Sequence, residues 1–456
     1  VVAENTWIAH KALSQIDIVW SMPEEKSFDS KIARKNYINL FDSSDVEVLD
    51  EDEDFKEAWG KNDRVIEAIY ETPYLAHVCM EPMGCTAFYQ KSDMDDDEDA
   101  KITLWSPSQS TTWSKSAAIE IANVNSKNVK VFSTLMGGGL GRRAQMDFVK
   151  ESVSIAKQIP NIPIKLTWSR EEDVQQDMYR PDSMARFKMA LDSNNQLLAL
   201  DFVIASKKIR ETSSLGHPMS YTVYNLPPKR LSLSEQKNPV PVGEWRSVSL
   251  SHNSFYQEAF IDEVAQELNI DPLQFRINLL EGKPKHSALL EFIAEKSNWY
   301  EPLQDTSDGS KRGRGVSFIE AFASVMVQVV EVTITPEKKL IVDRIINVVD
   351  PHTAVNLETI KAQMEGAAID GLSAALYSQI DIKEGRVVQN NFNDYRMITI
   401  ADSPEIETYI IPQGGHPGGI GEVGLPGIAP ALVGAIYDAI GLRIRKLPIS
   451  HSELEV

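Results

Sequence analysis

Two glycine-dense stretches hold the residues best suited to chemistry. The first is Met136-Gly137-Gly138-Gly139-Leu140-Gly141-Arg142-Arg143. Glycines let a backbone approach a ligand closely, and at a strand-to-helix turn they leave N–H groups for anionic oxygens. Arg142 and Arg143 would add positive charge for an anion. The alternative is a tight turn with two surface arginines. No Gly-Lys-Ser/Thr follows, and G-x-G-x-x-G spacing is not met cleanly. The second stretch runs from Gly414 through Gly415, His416, Pro417, Gly418, Gly419, Ile420 and Gly421 to Glu422, then Val423-Gly424-Leu425-Pro426. Glu422 is its only carboxylate. Lost hydration there is expected to raise its pKa toward neutrality and poise it as a general base. The alternative is a cap on a helix beginning near Pro426.

Weaker signals stand between them. Asp350-Pro351-His352-Thr353-Ala354-Val355-Asn356 precedes Gln363. Amide side chains can bind the edge of a planar heterocycle, although capping explains Asn356 as well. Gln109 and Arg246 are polar residues in short motifs, Trp105 to Ser110 and Gly243 to Arg246. His77 and Glu81 have helix-type metal spacing, but Pro82 follows and no third ligand is near, so a structural hydrogen-bonding role is expected.

The elements that must position these groups alternate in type. Val129, Val131 and Leu135 read as a strand leading into the first glycine turn; Val149, Val153 and Ala156 read as the helix after it. Ile164 to Trp168, Leu197 to Ala205 and Val327 to Ile334 read as strands. Helices are expected over Asn253–Leu268, from an N-cap at Asn356, and over Pro426–Ile440 with Gly441 closing it. The rhythm is not a strict βαβ repeat, which predicts an α+β fold with more than one module. Ser213 to Val242, rich in Pro, Ser and Asn, reads as a linker. Two acidic runs, Asp42–Asp54 and Asp93–Asp99, read as solvated loops.

Composition bounds the rest. With 456 residues, 42% apolar and 25% charged, the chain has the make-up of an ordinary globular protein of two to four domains. Its 46 basic and 66 acidic residues leave a net charge of −20, a poor match for nucleic acid or an anionic membrane surface. No apolar run is long enough to span a bilayer. Two cysteines, Cys79 and Cys85, form no framework and set no redox compartment. The start, Val1-Val2-Ala3-Glu4, has no signal-like pattern and reads as the interior of a longer gene product, with any targeting segment upstream.

In order, several segments resemble the molybdenum-binding large subunit of the xanthine dehydrogenase and aldehyde oxidase family, in its isoquinoline oxidoreductase beta-subunit form. They are Tyr74 to Pro82, Gly137 to Arg143, Tyr179-Arg180-Pro181, Trp245-Arg246-Ser247-Val248, Val349 to Asn356, Gln363-Met364-Glu365-Gly366, Asn391 to Arg396 and Gly418 to Glu422. The resemblance implies a fold of two mixed α/β molybdopterin-binding modules, at 71–235 and 236–456, after the remainder of an upstream module at 1–70. It implies an oxidoreductase that hydroxylates an electron-poor carbon of an N-heteroaromatic compound or aldehyde with water-derived oxygen.

By the same resemblance, Glu422 is the base and Gln109 bonds a molybdenum oxo group. Arg246 flanks the metal. Gly137, Gly138, Gly139, Leu140, Gly141 and Arg143 form the cofactor loop, joined by Gly419 and Gly421. Asn356 and Gln363 hold the pterin or its tail. The implied cofactor is molybdopterin, in the cytosine dinucleotide form, with no protein side chain on the metal. A small subunit with [2Fe–2S] clusters would take the electrons, since two cysteines cannot bind a cluster. Leu140 stands where the family's loop usually carries Phe, and Ser249 where a Gly is common. The family's first half, with a further cofactor loop, would be supplied by the upstream sequence or another chain. The resemblance favours the periplasm, with the cytoplasm as alternative. Against enzyme function stands a cofactor-free homologue that acts as an assembly module.

Overall fold

The computed structural model describes residues 1–21, 28–43, 45–91, 97–209, 222–450 and 454. Two compact units emerge. The first joins Val1–Lys31, His77–Met178 and Ile382–Asn391; the second joins Ile32–Ala76, Tyr179–Asp381 and Phe392–Val456.

The first unit holds a four-stranded sheet in the order Val129–Ser133, Lys101–Ser106, Gly84–Gln90, Ile164–Thr167. Val129–Ser133 pairs parallel and the other pairs are antiparallel. Helices Thr111–Ala122 and Asp147–Gln158 pack on it. Phe148, Val149, Ser152, Val153 and Ala156 lie on the buried face of the second helix, which is the 3.6-residue period read in the sequence.

In the second unit, one sheet runs Glu47–Glu51, Lys229–Glu235, Leu197–Ser206, Ser183–Leu191, Arg64–Thr72. The other is an antiparallel meander, Lys311–Ala321, Ser324–Ile334 and Leu340–Asp350, with Glu405–Ile410 added in parallel. Its helices include Leu250–Glu267, Leu357–Leu376 and Ile428–Ile440.

Helix Ile428–Ile440 lies on the meander with no side chain between the backbones. Gly313 and Gly315 share one strand face, and residues four apart on the helix meet them. A Cβ at Gly315 would stand 2.1 Å from the Ala431 carbonyl oxygen, and one at Gly313 would stand 2.3 Å from that of Ala435. Beside this crossing a buried ionic cluster sits in the core. Arg276 donates to Glu258 at 3.0 Å and to Asp262 at 2.5 Å. Burial pushes the Asp262 carboxyl up to about 6 against the pull of Arg276.

The α+β expectation holds, and the expected strands and helices form within a few residues of their predicted ends. Two readings change. The described part of the expected linker contains strand Lys229–Glu235, inside the five-stranded sheet, with Leu231 and Leu233 buried; residues 213–221 lie outside the described residues. The first acidic run is a strand edge rather than a free loop. Glu47–Glu51 pairs with Lys229–Glu235, and Lys229 and Arg230 face Asp52 and Glu51 at 3.8 and 3.9 Å. Of the second run, 92–96 lie outside the described residues and Asp97–Asp99 forms one 3-10 turn.

Gly315→Ala should lower the thermal midpoint by about 2–5 °C, because overpacking costs roughly 1–3 kcal/mol and backbone atoms cannot swing aside. Gly366→Ala is the control. That helical glycine has nothing within 4 Å of a Cβ, so alanine should raise the midpoint slightly. Calorimetry of both variants checks the pair.

Candidate functional site

In the first unit, the glycine loop leaves strand Val129–Ser133 and lies on the segment Cys79–Glu81. Gly137 N donates to Glu81 Oε2 at 2.9 Å, and Glu81 N donates to the Gly137 carbonyl at 3.1 Å. A Cβ at Gly137 would stand 2.5 Å from Glu81 Cβ, and one at Gly139 would stand 2.7 Å from Gln109 Oε1. Gly141 N donates to that same Gln109 oxygen at 3.1 Å. Gly138 and Gly141 take φ of 98° and 101°, where a side chain is strained; Leu140 also takes positive φ, at 52°, with its side chain against the core.

Both arginines depart from either sequence reading. They are buried and spent inside the unit. Arg143 donates to the carbonyls of Gly138 and Glu81, both at 2.7 Å, and to Glu81 Oε2 at 3.0 Å. Arg142 grips Asp147 through two bonds and pairs with Asp177 at 2.9 Å. Five donors in a rigid fork suit a guanidinium to fastening several oxygens at once. The loop also does not open directly onto a long helix; a 3-10 turn, Arg142–Ala144, comes between.

His77 is structural, as expected. Its Nδ1 lies 3.0 Å from Asp177, and its N–H donates to Asp177 at 2.6 Å. Burial works to raise the Asp177 pKa, but His77 and Arg142 hold it below the ordinary carboxylate value. Nearby, Asp173 accepts from Met83 N and Arg170, while Arg170 also donates to the carbonyls of Cys79 and Met80. Burial and the Asp177 charge push Asp173 up to about 6.

In the second unit, Glu422 is held from a distant turn. Ser247 N donates to Glu422 Oε1 at 3.0 Å, and Ser247 Oγ donates to the Glu422 carbonyl at 2.7 Å. Arg246 donates through Nε and Nη2 to the Gly421 carbonyl at 3.0 and 2.9 Å. Its other bonds reach Asp370 at 2.6 Å and Gln363 Oε1 at 3.0 Å. Ser247 and Val248 take φ of 72° and 50°. For a β-branched residue that is a true outlier, and such strain persists where surroundings over-determine it.

The glycines ahead of Glu422 close on a hairpin tip. Gly418 N donates to the Pro351 carbonyl, Gly419 N donates to that of Phe322, and a Cβ at Gly418 would stand 1.9 Å from the Ala323 oxygen. Glu422 is not a helix cap. Helix Ile428–Ile440 follows Gly427 with no side-chain cap, and Gly441 ends it in the left-handed region. Asn356 does cap helix Leu357–Leu376, accepting from Thr359 N at 2.9 Å. Gln363 and Arg246 thus gather at Glu422, whereas the Asn356 oxygen is engaged by its own helix. Sequence reasoning passed over Ser247, Asp370, Asp173 and Asp177. Two left a signal: Ser247 lies inside the motif Trp245-Arg246-Ser247-Val248, and Asp370 lies seven residues from Gln363 on one helix face.

Residues 40–279, more than half of the chain, match the molybdopterin cofactor-binding domain family, and residues 261–404 match a second model of that description. The chain belongs to that family. The resemblance to the molybdenum-binding subunits of the xanthine dehydrogenase family holds, and with it the pair of mixed α/β molybdopterin-binding modules.

Among curated relatives, a membrane-bound aldehyde dehydrogenase [pyrroloquinoline-quinone] of Gluconacetobacter polyoxogenes is 27% identical over 494 residues, covering 100% of this chain and 62% of its own. The isoquinoline 1-oxidoreductase subunit beta of Brevundimonas diminuta is 24% identical, covering 98% of this chain and 59% of its own. The chain therefore spans about three fifths of the length of these relatives. Quinoline 2-oxidoreductase from Pseudomonas putida 86 shares the fold with a TM-score of 0.83 at 13% identity, over 99% of this chain and 84% of that one.

The residues present suit such a cofactor. Glu81 and Gln109 fill the underside of the loop, while Gly137 and Gly138 are exposed and carry no side chain to block approach. Gln109 is exposed beside them with its Nε2 donor. Among the described residues, no group of three or more His, Cys, Asp or Glu could hold a metal ion, and no helix is long and apolar enough to cross a membrane.

Asp173 gives the first unit a pH signature. Its folded pKa lies above the ordinary 3.8, so the fold binds that proton more tightly than the unfolded chain. Stability from this group rises as pH falls through about 6 and is complete below about 4. Asp173→Asn should remove that rise, at most about 3 kcal/mol between pH 7 and 4. Urea unfolding of parent and variant across that range tests it; identical pH slopes would refute the assignment.

Proposed function

We propose that this chain is the molybdopterin-binding part of an oxidoreductase that hydroxylates an aldehyde or an electron-poor N-heteroaromatic carbon. The observation that carries the reading is Glu422, a carboxylate fixed by a strained turn in a chain of the molybdopterin-binding family. When bound, the molybdenum–pterin group supplies two-electron oxidation. The chain's own residues supply position and proton transfer. Ser247 N–H holds Oε1 of Glu422, which leaves Oε2 to accept a proton. The Gln109 amide and the backbone from Gly138 to Leu140 line the cofactor. Gln363 and Asn356 would hold the pterin or its dinucleotide tail through their side-chain amides. Arg246, whose guanidinium is spent on Gly421, Asp370 and Gln363, serves as a positioning residue.

The cytosine dinucleotide form of the cofactor and an electron-accepting [2Fe–2S] subunit complete the proposal. Burial pushes Cys79 up to about 12 and Cys85 up to about 11, so neither thiol is prepared for a cluster. The names of two relatives, one an aldehyde dehydrogenase and one an isoquinoline oxidoreductase, support both substrate classes. The competing reading is a cofactor-free homologue that serves as an assembly module.

Metal and pterin analysis separates the two. Close to one molybdenum and one pterin per chain is expected; near-zero molybdenum in protein made with cofactor supplied favours the assembly module, and pyrroloquinoline quinone in its place overturns the cofactor assignment. Glu422→Gln should retain molybdenum and lose about 10²–10⁴ in kcat. Turnover within about tenfold of the parent would remove Glu422 as the base.

A further inference from the structure

The guanidinium that holds Gly421 is itself held. Asp370, from helix Leu357–Leu376, accepts from Arg246 Nη1 at 2.6 Å, and the two side chains are only 21% and 10% exposed. Gln363, two turns earlier on that helix, takes Nη2. Helix and loop are locked together. A Cβ at Gly371 would stand 2.8 Å from Ile428 Cβ, and one at Gly424 would stand 3.1 Å from Ala367 Cβ. Slack in the packing therefore cannot absorb a loss at Asp370. A buried guanidinium without its carboxylate must seek another anion. Glu422 is the next residue along from the carbonyl Arg246 already holds.

We infer that Asp370 is a positioning residue for Glu422: by holding Arg246 on the Gly421 carbonyl, it keeps the arginine off the Glu422 carboxylate and the carboxylate on Ser247 N–H. Its functional meaning rests on the reading of Glu422 as proton acceptor.

Hydrogen exchange of the full chain, resolved at the Ser247 amide, tests this without turnover. Asp370→Asn should speed that exchange about tenfold, the scale of one charge-assisted bond, while strand Ser324–Ile334 exchanges as in the parent. On an Arg246→Gln background the same change should add less than about twofold. Asp370→Glu, which keeps the charge, should restore exchange to within about threefold of the parent, and gives the readout if the asparagine variant does not fold. Ser247 exchange unchanged in Asp370→Asn, full additivity in the double variant, or equal acceleration throughout Ser324–Ile334 would overturn the assignment. In loaded enzyme, kcat should fall about tenfold with KM within about twofold; a loss confined to KM contradicts it. Full turnover in Glu422→Gln would sink the base assignment and leave the exchange result standing, so the two failures are distinguishable.

Discussion

Glu422 follows a run of glycines and precedes Val423, which is fixed in the core, and the aim of its carboxylate depends on bonds from elsewhere. Here they come from one turn, 175 residues away. Arg246 takes the carbonyl before Glu422, and Ser247 takes both the carboxylate and the carbonyl of Glu422 itself. The surrounding elements serve that turn. Helix Leu357–Leu376 supplies the counter-charge, and the hairpin tip at Phe322–Ala323 receives Gly418 and Gly419. Glycines recur here because a second backbone must come closer than any Cβ permits.

The first unit solves a related problem by different means. Its glycine loop presents bare backbone outward at Gly137 and Gly138, so side chains at those positions cannot serve as anchors. The anchoring is done from beneath by Arg143, Glu81 and Gln109, and at the loop's end by Arg142 through Asp147 and Asp177. These arginines are buried, so their charge is balanced within the fold rather than offered to a ligand. Neighbouring carboxylates are driven apart as a result. Asp177, between His77 and Arg142, stays charged, while burial and that charge push its neighbour Asp173 toward neutrality.

What the sequence made legible was local. Helix Ile428–Ile440 and its Gly441 end, the Asn356 cap, and strand Leu197–Ser206 all announce themselves within a dozen residues by period and cap chemistry. Strand Lys229–Glu235 was misread because Pro and Ser around it outweighed the short Leu231–Leu233 alternation, and its partners lie far away in sequence. Glu422, Gln109, Arg246 and Gln363 could be singled out by type. That Arg246 faces inward to Gly421 could not, because the bond joins residues 175 apart. Arg142 and Arg143 were misjudged for the same reason. Exposure of an arginine is decided by carboxylates and carbonyls that sequence order does not reveal.

Backbone strain links the two levels of description. Val248, β-branched, at positive φ costs of order 1–3 kcal/mol, and nothing in the local run Trp245-Arg246-Ser247-Val248 recommends it. It persists because Arg246 and Ser247 together make bonds that an extended turn would break: two to the Gly421 carbonyl, two to Glu422, and the ion pair with Asp370. Ser247 itself also stands at positive φ, 72°, so the residue that donates to the carboxylate shares the strained geometry. The strain is offset by these bonds taken together, those to Glu422 among them. Glycine at 248 would avoid that cost. With valine there, the strain stands against the bonds that Arg246 and Ser247 make to Gly421 and Glu422.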